Sequence, residues 1–132
     1  MRVMLDTNIL ISAIVFNSKL MWNVIKRIEE KGSIVLSSYV IDELHEVING
    51  KFPTKAGALE QFLIELPFEL IYTPKILPNH EIFTIRDKDD EKVLYSAVIS
   101  DVDILVTGDK DFFEIEIERP DIVSHLEFLQ KY

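Results

Sequence analysis

Val3-Met4-Leu5-Asp6-Thr7-Asn8-Ile9-Leu10 opens with three apolar residues that end on a carboxylate. A short, unbroken apolar run closed by a polar break reads as a strand buried on both faces. Ending such a strand on Asp6 is costly unless the carboxylate finds a partner. Asn8 or Thr7 can then cap a helix over residues 9–16. Working outward, Ile34-Val35-Leu36 and Ile104-Leu105-Val106 repeat the buried-strand pattern, with further candidates over 68–72 and, shorter, at Ile122-Val123. Helical spacing fills the gaps. Leu20, Met21, Val24, Ile25 and Ile28 follow the break at Asn17-Ser18 and stop at Gly32, and Val40, Ile41, Leu44, Val47 and Ile48 follow Ser37-Ser38 and stop at Gly50. A further helix covers 55–66, ended by Pro67, and another opens at Asp89 or Asp90 with Val93, Leu94, Ala97 and Val98 on one face. Residues 125–130 read as a closing helical turn, and Pro74 and Pro78 mark an irregular stretch. Strands apolar on both faces and alternating with helices predict an α/β/α sandwich with a mostly parallel central sheet.

Composition narrows the class. At 132 residues the chain is the size of one domain, expected over 1–132. Cysteine is absent, which excludes disulfides, thiolate zinc sites and a thiol nucleophile. No apolar run reaches the ~18–20 residues of a membrane span, and the apolar N-terminal run has Asp6 inside it and no basic leader. A cytoplasmic protein with no membrane partner is therefore expected. The net charge is −9, and residues 81–118 hold twelve acids against four bases, so nearly all of it lies there. A bare acidic surface repels nucleic acid, so such a ligand would require bound cations or a basic patch elsewhere. No glycine-rich phosphate cradle is present.

In open parallel sheets ligands bind beyond the carboxyl ends of the strands. Asp6 and Asp109 follow two strands there, and Asp90 and Glu43 lie early in helices that begin at the same rim. A pair of like charges ~4 Å apart costs ~4 kcal/mol at an effective dielectric near 20, so such a gathering calls for protons or cations. Hard oxygen donors suit Mg²⁺ or Mn²⁺. Taken singly, each acid has a plainer explanation. Asp89 and Asp90 could serve the helix dipole, Glu43 could be solvated helix surface, and Asp109 could be a turn residue.

The motifs carry a resemblance. Val3 to Leu10 resembles the opening of a PIN domain. Ser37-Ser38-Tyr39-Val40-Ile41-Asp42-Glu43-Leu44, Asp87-Lys88-Asp89-Asp90-Glu91-Lys92-Val93-Leu94-Tyr95-Ser96-Ala97 and Leu105-Val106-Thr107-Gly108-Asp109-Lys110-Asp111-Phe112 resemble its second, third and fourth motifs, in the family's order. Within that family the chain is most similar to the small stand-alone proteins that act as VapC-like toxins. The resemblance implies a PIN-like fold and a metal-dependent ribonuclease in which Asp6, Glu43, Asp90 and Asp109 hold one or two Mg²⁺ or Mn²⁺ ions. It also implies that water activated at the metal attacks phosphorus, leaving 5′-phosphate and 3′-hydroxyl ends. Asn8 and Thr107 would orient the ligands. Of Asp87, Asp89 and Asp90, the last has the family's spacing, seven residues before Ala97. Asp111 would be an auxiliary ligand or a capping acid. The resemblance further implies RNA as substrate, a protein antitoxin as partner, and homodimers.

Other features are weaker. His45, His80 and His125 lack metal-ligand spacing, and His45 falls on a different helix face from Glu43. Trp22 suits either core packing or a twofold interface. Lys19, Lys26, Arg27 and Lys31 are candidate RNA phosphate contacts, or a solvated helix face. An aspartyl-phosphate phosphatase would want an acid where Asn8 stands, and a receiver domain would want one where Ser37 follows Leu36. A catalytically weak PIN-like binding module and a housekeeping RNA-processing nuclease remain as alternatives to the toxin.

Overall fold

The structure is a computed structural model that describes residues 1–75 and 88–132. The expectations for Pro78, His80 and Asp87 fall outside those residues. The elements run β1 (Arg2–Leu5), α1 (Thr7–Ile14), α2 (Lys19–Lys31), β2 (Ser33–Ser37), α3 (Ser38–Lys51), α4 (Ala56–Glu65), β3 (Phe68–Ile71), α5 (Lys88–Ile99), β4 (Ile104–Val106), β5 (Asp121–Val123) and α6 (His125–Lys131). Single 3-10 turns lie at Pro53–Lys55 and Lys110–Glu114.

The five strands form one sheet in the order β3-β2-β1-β4-β5, with every pairing parallel. Successive strand residues point to opposite faces, yet Val3, Met4 and Leu5, Ile34 through Ser37, and Ile104 through Val106 are all buried. Both faces are therefore covered, which is the expected α/β/α sandwich. β1 is the central strand. The chain leaves it toward β2 and β3 on one side and returns to β4 and β5 on the other, so the strand order reverses beside β1. Crevices for ligands open at such reversals. The register pairs Leu5 with Val106, which puts Asp6 next to Thr107.

The helix ends correct the sequence reading in three places. The cap of α1 is Asp6 rather than Asn8 or Thr7, its carboxylate accepting the Thr7 backbone N–H. An acid both ends the buried strand and starts the helix, so no linker residue intervenes. Helix α3 continues through Gly50 to Lys51 and stops ahead of Pro53, because the apolar stripe continues to anchor it and an isolated helical glycine costs only ~1 kcal/mol. Helix α5 already includes Lys88, so Asp89 and Asp90 lie inside its first turn rather than before it. Ser18 and Ser37 cap α2 and α3 as expected. Gly32 ends α2 with φ −177°, an extended conformation open to any residue. What requires glycine there is space, because a Cβ would overlap the Met1 carbonyl oxygen, whose neighbourhood is fixed by the Ser33 N–H donating to it at 2.8 Å.

The opposite, amino-terminal rim of the sheet is ionic. Arg2 forks onto Glu69 at 2.8 and 2.9 Å, its backbone N–H donates to Asp103 at 2.7 Å, and Arg119 donates to Asp101 and Asp103 at 2.9 and 2.6 Å. The Arg2 N–H, then the Arg119 charge, hold the Asp103 carboxyl below its ordinary value.

No single helix among the described residues is long and apolar enough to cross a membrane.

Two glycines should respond oppositely to alanine. Gly32→Ala must move the N-terminal strand and should destabilise by about 1–3 kcal/mol. Gly50→Ala adds a methyl into open space on a helix and should stabilise by up to about 1 kcal/mol. Urea midpoints measure both, and a Gly32→Ala protein as stable as its parent would show that the Met1 approach is not constrained.

Candidate metal centre

Asp6 is the anchor of the rim. Its residue is 5% exposed, and its two oxygens accept the Thr7 N–H at 2.8 Å and the Thr107 hydroxyl at 2.8 Å. Burial pushes its carboxyl above the ordinary value, with the hydrogen bonds from Thr107 and Thr7 opposing and the charges of Glu43 and Asp109 reinforcing the rise. Thr107, fully buried, spends its one proton on Asp6 and accepts the Asp109 N–H at 3.1 Å. One hydroxyl thus ties the end of β1 to the loop after β4. Asp109 caps the 3-10 turn that follows, accepting the Asp111 N–H at 2.9 Å.

A cleft of about 350 Å³ opens over this point, lined by Asp6, Glu43, Asp89, Asp90 and Asp109, with Thr7, Asn8, Ile11, Val47, Lys51 and Phe52. All four acids singled out in sequence line it. Of these Asp90 and Asp109, together with Asp111 just outside the lining, each offer one oxygen within 4.8 Å of the others. Asp111, expected as an auxiliary ligand or capping acid, thus stands close to Asp90 and Asp109 while lying outside the cleft's lining. The 3-10 turn capped by Asp109 explains this closeness. Asp6 and Glu43 share the cleft but not that tight trio. Asp89 lies 3.6 Å from the Lys92 ammonium.

Glu43 is oriented by a residue that the sequence reading did not single out for the site. The Tyr39 hydroxyl, one helical turn earlier, donates to its carboxylate at 3.3 Å. Burial, then the Glu43 charge, push the Tyr39 phenol up, so it keeps the proton it donates. Lys92 sits 5.1 Å over the same ring. Lys51 and Phe52 were missed too. The spacing Glu43, Val47, Lys51 puts a glutamate and a lysine on one stripe of α3, a signal visible in the sequence once Glu43 is suspected.

The donor set fits a hard divalent cation: it is all oxygen, and three carboxylates at such separations repel by ~3–4 kcal/mol per pair at an effective dielectric near 20. The buried Thr7 hydroxyl beside them has no hydrogen-bond partner among the described residues. The amino-terminal ends of α1, α3 and α5 converge here, and their dipoles offset part of the repulsion.

Some expected residues lie elsewhere. None of Lys19, Lys26, Arg27 and Lys31 lines the cleft. They ride on α2, which ends beside the start of β2 at the far rim, and Arg27 reaches the Leu129 carbonyl at 3.5 Å. His45 is held by the Ile41 carbonyl and Glu60, both at 2.9 Å. Trp22 donates to the Ala13 carbonyl at 3.0 Å and meets Phe62 edge-on at 5.7 Å, beside a second cavity of about 500 Å³.

Comparison with known proteins agrees with this architecture. No curated protein matches the sequence. Among solved structures the chain is similar to a chain of the VapBC2 complex from Rickettsia felis bound to a DNA fragment from their promoter, at TM-score 0.68 and 23% identity over 93% of this chain and 97% of that one. Residues 2–111 match the PIN domain model. With that match spanning all four motifs and the carboxylates gathered at the strand-order reversal, the chain belongs to the PIN domain family.

Proposed function

We propose that this chain is a divalent-metal-dependent endoribonuclease, a single nuclease domain over residues 1–132, acting in the cytoplasm as the toxin of a toxin–antitoxin pair. The observation that carries the reading is the set of carboxylates in one cleft, with Asp90, Asp109 and Asp111 within 4.8 Å of each other. PIN domains are generally nucleases, and the likeness to the VapBC2 structure supports a protein antitoxin as partner.

Asp90, Asp109 and Asp111 would hold Mg²⁺ or Mn²⁺, with Asp6 and Glu43 completing a site for one or two ions. When bound, such ions supply charge to the phosphodiester and acidify water. Asp6 is kept in position by Thr107, and Glu43 by Tyr39. Asn8, exposed and lining the cleft, would orient ligands together with Thr107. No histidine lines the cleft among the described residues, so a side-chain base or covalent nucleophile is not part of the reading. Lys19, Lys26, Arg27 and Lys31 would meet only an RNA long enough to reach α2. The exposed part of α2, with Leu20 and Trp22 each 36% exposed, is the proposed twofold interface, while Val24 and Ile25 are withdrawn into the core.

Metal and pH should act together on stability. The folded, metal-free protein holds the Asp6 proton to higher pH than the unfolded chain does. The contribution of Asp6 to stability therefore falls as pH rises from the ordinary carboxylate value through the raised one, and is level on either side. Asp6→Asn removes that loss, so in chelator it should gain on its parent across that window. Added Mn²⁺ should raise the parent's melting temperature, by linkage worth ~2.7 kcal/mol at a hundredfold excess over Kd, and raise that of Asp6→Asn less. Equal rises would take Asp6 out of the site.

Cleavage of a single-stranded oligoribonucleotide should need Mg²⁺ or Mn²⁺, stop in chelator and leave 5′-phosphates. Asp6→Asn, Asp109→Asn and Asp111→Asn should each lose about 10²-fold or more in rate, by analogy with other lost transition-state electrostatics. Cleavage in excess chelator, or 2′,3′-cyclic phosphate ends, contradicts the reading. Growth arrest on expression, relieved by a small protein encoded alongside, separates a toxin from a housekeeping nuclease.

Light scattering at micromolar concentration should return twice the chain mass. A monomer mass removes the α2 interface.

A further inference from the structure

The cleft is chemically uneven along its length. One end is the carboxylate wall of Asp6, Glu43, Asp90 and Asp109, while the other end is Lys51 and Phe52. Lys51 is eight residues beyond Glu43 on α3, about 12 Å along the helix axis at ~1.5 Å per residue. Beside it the half-buried Phe52 ring meets Phe16 edge-on, with centroids 5.6 Å apart and planes at 81°. Phe16 is 65% exposed. An edge-on contact leaves a ring face open, and an open aromatic face next to an exposed ammonium is the pairing that proteins use on single-stranded nucleic acid.

We propose that Lys51 and Phe52, with Phe16 against Phe52 just outside the cleft, form a nucleotide subsite at this end of it, in which a base of single-stranded RNA stacks on Phe16 and an adjoining phosphate is held by Lys51. The inference rests on the nuclease reading above and names how that substrate is held away from the carboxylates. Charge complementarity selects the occupant. The chain carries −9 overall, so a polyanion approaching the acidic wall is repelled, and Lys51 is the cation that lines the same cleft among the described residues. The second cavity, beside Trp22 and Phe62, carries Glu29 and Glu65 in its lining and offers a polyanion less than the Lys51 end of the cleft, where Phe16 stands just outside the lining against Phe52. Stacking on a phenyl ring tolerates any base, so the subsite sets the strandedness of the substrate more than its sequence.

The test is equilibrium binding of a fluorescent single-stranded oligoribonucleotide, with Ca²⁺ supplied to occupy oxygen sites, to the full chain and to Phe16→Ala, Phe16→Trp and Lys51→Ala. Phe16→Ala should weaken binding by about fivefold to a hundredfold, the range for one lost base stack, and Phe16→Trp should restore it. Lys51→Ala should weaken binding and reduce the slope of log K against log salt by about 0.7, one single-strand phosphate contact. An oligonucleotide with abasic positions should lose its sensitivity to Phe16 and keep its sensitivity to Lys51. Both sites are exposed, and unchanged melting temperatures in the variants exclude misfolding as the cause. If the parent cleaves RNA with metal while Phe16→Ala and Lys51→Ala bind as it does, the subsite is overturned and the nuclease reading stands. If the parent neither binds nor cleaves RNA, both fall. If Phe16→Ala instead lowers the solution mass with RNA binding intact, the ring faces a second copy of the chain and the subsite is overturned.

Discussion

A carboxylate at the tip of the central strand, withdrawn from water to 5% exposure, sets the terms for everything above the sheet. Asp6 tolerates that position through two hydrogen bonds, one from the helix it starts and one from Thr107 on the neighbouring strand. The second exists only because β1 pairs with β4 in the register that sets Leu5 against Val106. A slip of one residue would turn Asp6 toward the other face of the sheet and break its bond to Thr107. The same hydroxyl accepts the Asp109 N–H, so the strand register also positions the second acid of the cleft.

The two rims of the sheet treat their acids in opposite ways. At the amino-terminal rim, Glu69, Asp101 and Asp103 are each met by an arginine, and Asp103 is held below its ordinary pKa. At the carboxyl-terminal rim, Asp6 is held above it by burial and by two like charges. The described acids at the two rims are therefore two populations. One is neutralised in place and welds strands together. The other is gathered where helix dipoles and Lys51 give only partial relief.

Nearness to the acids is decided by helix direction. Helices α1 and α3 both begin at the acidic rim and run from it toward Phe16 and Phe52, so Lys51 and Phe52 form the far end of the cleft, with Phe16 packed against Phe52 just outside it. Helix α2 runs back to the start of β2 and carries its bases with it. Four cations within thirteen residues therefore lie apart from the cleft, while the single Lys51, inconspicuous in the sequence, lies in it.

Much of this was determined by local sequence. Unbroken apolar triplets mark β1, β2 and β4 because a strand covered on both faces cannot alternate, and the parallel sandwich follows from the alternation with helices. The acids at the strand ends and the four ordered motifs are equally local, which is why Asp6, Glu43, Asp90 and Asp109 could be named before any coordinates. Tertiary structure alone decided the rest. Asp111 came near Asp90 and Asp109 because a 3-10 turn capped by Asp109 follows β4, a backbone conformation that composition does not specify. Lys51 and Phe52 became the far wall of the cleft because α3 packs against α1, whereas the Tyr39 bond to Glu43 is local to α3, one helical turn apart. Gly32 is required by the Met1 carbonyl pressed against it, not by its own backbone angles. Periodicity reports which face of an element is buried. It carries no information about which other element, tens of residues away in the chain, that face will meet.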